Sequence, residues 1–302
     1  MANAAQTSLE RLPTDRDAHG VVTLILRQPS RPVVVLDWAL LRAIDATLDE
    51  IGRDLAGFVL ASDSRVFIAG ADLKEIVSLS DAELDRYLAF GQHVYGRIAK
   101  LPCTTVAAIN GAVLGGGLEI AMHCDHLIAL APKPGTPEKP SRPYAVGLPE
   151  AGLSICPGWG GTNMLPARMD AATAIAMTAT GKTFTVLDAK QAGLVEELVQ
   201  GDTSALLARA RAIATARKKA PRSEPVSITN ADKREKARVG LESVKSGGEL
   251  PRTQAAAAVL DCVEKGLNGG WQACLDAERA HLIRLRGTDE GKAAIKAFFE
   301  KQ

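Results

Sequence analysis

The sequence predicts an α/β protein with a helical C-terminal region. Three observations carry this. Over the first 200 residues, short apolar runs rich in β-branched residues alternate with helical periodicities. From about Asp202 the strand signals stop and Ala-rich helical stretches take over. Finally, 27 glycines stand against 12 aromatic residues (six Phe, three Trp, three Tyr) in 302. Such a core must be packed by Ala, Val, Leu and Ile, with glycine where backbones turn sharply or approach something closely.

The elements follow in order. Gly20 to Leu26 reads as a strand that the turn-rich QPSRP ends. Leu40, Leu41, Ile44, Leu48 and Ile51 share one helical face. Ala56 to Ala61 is a second strand, and Ser64 to Leu73 passes through a glycine into a helical stretch. Leu84 to Leu101 is amphipathic and Pro102 stops it. Thr105 to Ile109 is a strand, Gly111 to Gly117 a glycine-rich turn, and a helix starts near Gly115 before the strand Asp125 to Ala131. Pro132 to Pro143 holds five prolines in twelve residues and predicts an extended surface loop. Ala208 to Lys219, Arg252 to Gly266 and Trp271 to Leu285 are the helical stretches of the last third. A boundary is expected at 202/203, with an α/β core over 1–202 and a helical region over 203–302.

Composition narrows the function classes. The chain is 46% hydrophobic and 24% charged, which fits neither a disordered chain nor a membrane protein. Thirty-six basic and 35 acidic residues give +1, so overall charge does not indicate nucleic-acid binding. Arg209 to Lys245 is locally basic, 11 against 4, but lacks the interleaved aromatics of a base-stacking surface. Five widely spaced cysteines without C-x-x-C predict buried thiols of a reduced compartment and no zinc cluster. The N-terminus lacks a signal-peptide pattern, no apolar run is long enough to span a membrane, and a cytoplasmic location is expected. His123 and His126 lie three apart where a helix gives way to a strand, which predicts ordinary polar placement rather than a metal site.

The chemistry is spread over three glycine-containing segments: Phe67 to Leu73 (FIAGADL), Asn110 to Glu119 (NGAVLGGGLE), and Gly147 to Thr162. A strand that runs through glycines into a helix presents unpaired backbone N–H groups at the helix's positive end. Two such ends facing each other would hold a developing oxyanion. Glu119 sits between Leu118 and Ile120 in an apolar helix, where an acid is either paired or working.

At these residues, from about 20 to 200, the chain resembles the enoyl-CoA hydratase (crotonase) superfamily. The tail, Pro251 to Gln302, resembles the end of the hydratase half of multifunctional β-oxidation enzymes, and Leu36-Asp37 also fits that branch. The resemblance implies a crotonase-like spiral of ββα units and hydration of a 2-enoyl-CoA to a 3-hydroxyacyl-CoA. It implies that Ala71 and Gly116 bind the thioester oxygen through their N–H groups, and that Glu119 and Glu150 hold the reacting water. Substrate contacts are implied at Arg65, Ala69, Asp72, Leu73, Gly115, Gly117, Pro149 and Gly158. No metal and no cofactor beyond the substrate's own CoA is expected. The resemblance implies a homotrimer or hexamer, with 1–202 as the catalytic core and 203–302 closing the substrate pocket or serving oligomerisation. Since no dinucleotide fingerprint is present, a stand-alone hydratase or one subunit of a divided complex, with a separate 3-hydroxyacyl-CoA dehydrogenase, is expected. A Δ3,Δ2-enoyl-CoA isomerase and an RNA-binding relative are the alternatives. Two departures bear on the site: Val33, Val34 and Val35 replace more polar residues near the CoA arm, and the Pro-rich loop helps set Glu119 and Glu150 31 positions apart.

Overall fold

The computed structural model describes residues 11–52, 54–136, 141–219 and 222–301. Six strands form the main sheet, in the order β1 (Thr14–Arg16), β2 (Val21–Leu26), β3 (Gly57–Ser62), β4 (Thr105–Ile109), β6 (His126–Leu130) and β9 (Glu197–Val199). All neighbours run parallel except the β1–β2 hairpin. A second sheet joins β5 (Val113–Leu114), β7 (Ala145–Gly147) and β8 (Thr183–Thr185), with β5 and β7 parallel.

The central strands β3 and β4 are buried along their whole length, as parallel strands covered on both faces must be. Their side chains alternate between two cores. Leu60, Ala107 and Leu127 face the larger one, against α1 (Trp38–Ile51), α3 (Asp81–Ala99) and α4 (Gly116–Met122). Val59, Val106 and Ile128 face the other, where Leu206, Ala210 and Ile213 of α8 (Thr203–Ala216) cover the sheet.

Helix starts follow capping chemistry. Asp37 caps α1 by accepting from Leu40 N, Asp72 caps α2 (Leu73–Ser78), and Ser80 with Glu83 forms a capping box on α3. Beyond a 3-10 turn at Glu150–Leu153 come α5 (Gly161–Arg168), α6 (Ala171–Thr180) and α7 (Val186–Gln191). The last third is helical: α8, α9 (Ala231–Gly247), α10 (Gln254–Arg286) and α11 (Asp289–Glu300). α10 breaks at Gly270, whose φ of 84° and ψ of −173° interrupt the helix, so the two stretches read from sequence are its two segments.

Some expectations need correction. The helix expected to begin at Ala208 begins at Thr203, because Asp202 caps it by accepting from Ala205 N. β1, α9 and α11 carried no sequence signal that was read. Ala131 to Thr136 form no regular element, while Pro137 to Pro140 of the expected loop lie outside the described residues. No described helix is long and apolar enough to cross a membrane.

Candidate active site

The site is built where the two sheets meet. Ile68 and Val113 form a parallel bridge, and Leu36 bridges Ala71 on the other side, so the 68–71 segment is held between two neighbours. The β5–β7 register, Val113 with Val146 and Leu114 with Gly147, then brings the chain beyond each strand to the same place. Gly115 N donates to Gly147 O at 2.9 Å, which sets the start of α4 beside the turn that carries Glu150. The two glutamates thus meet despite the intervening Pro-rich segment.

Three glycines open α4 because three different groups press against it. A Cβ at Gly115 would lie 2.6 Å from Glu150 Oε1; at Gly116, 2.3 Å from the Trp159 ring; at Gly117, 2.6 Å from Ile68. Gly115 also adopts φ 53°, a left-handed conformation that disfavours any side chain.

A cavity of about 580 Å³ opens here, within the range of small-molecule sites. Glu119, Glu150, Ala71 and Gly116 all line it, as do Ala69, Asp72, Leu73, Gly115, Pro149 and Gly158. Gly117 does not: it is buried against Ile68, so its part is close packing rather than a wall. Arg65 lies instead in an adjoining groove with Arg27 and Arg31. Arg31 reaches both places and pairs with Asp72 at 2.8 Å and Asp37 at 3.1 Å. Val33 and Val35 give the mouth an apolar edge. None of the cavity lining comes from the basic stretch 209–245. Its cations serve elsewhere: Arg209 pairs with Glu197, Arg211 with Asp15, Arg217 with Glu196, and Lys219 and Arg222 with Asp125.

The amides of Ala71 and Gly116 have no protein acceptor among the described residues, although both border the cavity. Glu119 is buried, and its Oε1 accepts from Trp159 N and Gly161 N, each at 2.8 Å. Burial above all, and then the nearby Glu278 and Glu150, hold its proton affinity well above the usual carboxyl range despite those two donors. Glu150 is pushed up to about 8, chiefly by burial, and its Oε2 is buried without a partner.

The sequence did not single out several residues that shape this site. Glu278, on the second segment of α10, is fully buried and accepts from Gly160 N, Thr162 N and Thr162 Oγ1. Gln92 of α3 holds Gly158 by donating to its carbonyl at 2.9 Å. The Trp159 indole donates to Leu88 O at 3.1 Å. A signal for Glu278 existed: Leu275, Glu278, Leu282 and Leu285 recur at helical spacing on one face, which puts an acid in a core position. Leu282, with Phe298 and Phe299 of α11, adds an apolar wall from the C-terminal helices. His123 is turned inward with Nδ1 2.9 Å from Glu119 O and is pulled down to about 3 by burial, whereas His126 pairs with Glu196.

Residues 16–244 match the enoyl-CoA hydratase/isomerase family. The fatty acid oxidation complex subunit alpha of Aliivibrio fischeri (strain ATCC 700601 / ES114) is 32% identical, with 94% of this chain and 41% of that protein covered. The chain therefore spans less than half the length of that relative. Among solved structures, an enoyl-CoA hydratase from Bacillus anthracis is 26% identical with a TM-score of 0.58, covering 97% of each chain. The human mitochondrial delta3-delta2-enoyl-CoA isomerase shares the fold at a TM-score of 0.66 and 22% identity, covering 97% of this chain and 98% of that one. The spiral of strands and helices is thus the crotonase fold with a helical C-terminal region, and the chain belongs to the enoyl-CoA hydratase/isomerase family.

Proposed function

We propose that the protein is an enoyl-CoA hydratase that adds water to a 2-enoyl-CoA and yields a 3-hydroxyacyl-CoA in fatty-acid oxidation. The observation that carries this is the meeting of two carboxylates, Glu119 and Glu150, in one cavity with two unpartnered amides. An isomerase needs one group to move a proton between carbons; addition of water needs a base for the water and an acid for the carbon.

In this reading the N–H groups of Ala71 and Gly116 bind the thioester oxygen and take up the negative charge that forms on it. That polarisation makes C3 electrophilic. Glu119 accepts a proton from water as its oxygen bonds to C3, and Glu150 gives its proton to C2. Glu150, pushed up to about 8, is largely protonated at neutrality, which suits it to the acid's part; burial raises Glu119 as well, but the two amides on its Oε1 oppose that rise and favour it as the base. Transfer of the proton from Glu119 back to Glu150 restores the starting state. Only water and the thioester are consumed.

The test is to incubate the protein with crotonyl-CoA and, separately, a 3-enoyl-CoA in ¹⁸O-labelled water and to identify the products. Label at C3 of a 3-hydroxyacyl-CoA is the expected result. Conversion of the 3-enoyl-CoA to its 2-enoyl isomer without label, and no hydration of crotonyl-CoA, would make the protein an isomerase. Glu119→Gln and Glu150→Gln should each lower kcat by about 10²–10⁴-fold in folded protein.

A further inference from the structure

Glu278 is the buried acid that the hydration mechanism leaves unused. Four consecutive amides, from Trp159 to Thr162, are shared in alternation between two carboxylates. Trp159 N and Gly161 N go to Glu119 Oε1, each at 2.8 Å. Gly160 N goes to Glu278 Oε2 at 2.5 Å, and Thr162 N to Glu278 Oε1 at 2.9 Å. The Thr162 hydroxyl accepts from Asn163 Nδ2 at 3.0 Å, so its single proton is free for Glu278 Oε1 at 2.5 Å. Both oxygens of Glu278 therefore face donors, which oppose the rise in proton affinity that burial imposes on it.

We propose that Glu278 is a positioning residue for Glu119: it fixes the Gly160 to Thr162 turn and, through that turn, the orientation and protonation of the Glu119 carboxylate. The inference rests on the proposed hydration only in giving Glu119 a part in the chemistry. Its geometric basis is the turn both acids share. Because neighbouring amides alternate between the two acceptors, a shift of Gly160 or Thr162 drags the amide of Gly161, which holds Glu119.

The charge near Glu119 comes from few groups. Glu150 faces it from the 3-10 turn and Glu278 from α10. Tyr95 of α3, Cys156 ahead of the turn and Cys274 of α10 also sense it, and burial pushes all three upward. His123, on its own helix, is pulled down to about 3. Near neutrality those four are uncharged, so the three carboxyls alone set one another's titration.

The test uses the full chain with Glu278→Gln and Glu278→Asp. Glutamine removes the charge and places an amide donor against a turn that offers only donors. Aspartate keeps the charge but is one methylene too short to reach both sides of the turn. Glu119 is titrated directly by infrared difference between each protein and its Glu119→Gln counterpart, which requires no substrate. In folded Glu278→Gln the Glu119 proton affinity should fall about tenfold or more, one pH unit or more. The acid limb of kcat/KM for crotonyl-CoA should move to lower pH in parallel. Glu278→Asp should hold the titration within about threefold of the parent and lower kcat at least tenfold with KM little changed, a split that follows from a misplaced base. An unmoved Glu119 titration in folded Glu278→Gln, or parental kcat in Glu278→Asp, would overturn the inference. A parent protein that hydrates nothing would sink the proposed function instead, and the infrared titration would still decide the part of Glu278.

Discussion

Gly115→Ala separates what the backbone needs from what the carboxylates need. At φ 53° and ψ −128° an alanine is strained whatever surrounds it, at a cost of about 1–3 kcal/mol. Its Cβ would also lie 2.6 Å from Glu150 Oε1, whereas ordinary contact begins at 3.4 Å, so the carboxylate must retreat by about 0.8 Å. A misplacement of about 1 Å at a reacting group costs roughly 10²-fold in rate. Gly52 is the matched control: φ 68° and ψ −159° impose comparable strain, and no described atom lies within 4 Å of its Cβ position. Urea melts should therefore show both alanine variants destabilised by similar amounts. Initial rates with crotonyl-CoA should show kcat about 100-fold lower for Gly115→Ala and near the parent for Gly52→Ala. A Gly115→Ala enzyme whose kcat stays within about threefold of Gly52→Ala would refute the reasoning, because the contact with Glu150 would then not matter.

Two further outcomes follow from the same site. Glu150 holds its proton up to about 8 when folded but loses it near 4.5 when unfolded, so the unfolded chain binds fewer protons between these values and stability falls as pH rises through that window. Glu150→Gln escapes this loss, and its Tm relative to the parent should climb from pH 5 to 8 and level off above; each pH unit is worth at most about 1.4 kcal/mol, and a Tm difference that does not change with pH counts against a buried neutral Glu150. Leu282 flanks Gly158 together with Leu88 and is almost fully buried at 4% exposure, so Leu282→Ala should cost about 2–5 kcal/mol in urea unfolding. It should also raise kcat/KM for longer 2-enoyl-CoA chains relative to crotonyl-CoA; an unchanged chain-length profile would place the acyl chain elsewhere.

Much of the fold could be read from local pattern. β2, β3 and β4 are continuous β-branched or aliphatic runs, and α1 and α3 carry both an apolar stripe and a polar cap. Glu119 could be read because an acid inside Leu-Glu-Ile contradicts its surroundings. What could not be read is what depends on partners far away in sequence. β5 has two residues and β8 has three, too few for any periodicity, and they exist because β7 lies between them. Gln92 acts on Gly158 across 66 positions, and Glu278 reaches Thr162 across 116. The face containing Leu275, Leu282 and Leu285 marked Glu278 as out of place, but the adjacent Asp276 and Arg279 make the segment resemble an ordinary solvated helix surface. The basic stretch illustrates the opposite failure. Its local charge stands out in the sequence, yet none of it lines the cavity, and Arg209, Arg217 and Arg222 pair instead with Glu197, Glu196 and Asp125.

Two buried acids, Glu119 and Glu278, beside the half-buried Glu150, with no cation among their bonded partners, would be ruinous in an apolar interior, since an isolated buried carboxylate is far costlier than a buried neutral group. Backbone supplies the compensation here, and glycine is what lets it do so. Gly160 adopts φ 100°, and a Cβ on it would strike the Trp271 ring at 2.2 Å; a Cβ on Gly161 would lie 2.9 Å from Glu119 Oε1. The turn can present successive amides to opposite sides only if both positions stay bare. Glu119 and Glu278 take those amides, and Glu150 is left with a buried, unpartnered oxygen and a raised proton affinity. Burial raises all three acids, and what separates Glu119 from Glu150 is that two amides of the turn orient and oppose the rise of the first, while one oxygen of the second stays without a partner. This difference follows from which acids the turn's amides bond, and α10, by bringing Glu278 to alternate amides, helps set that pattern.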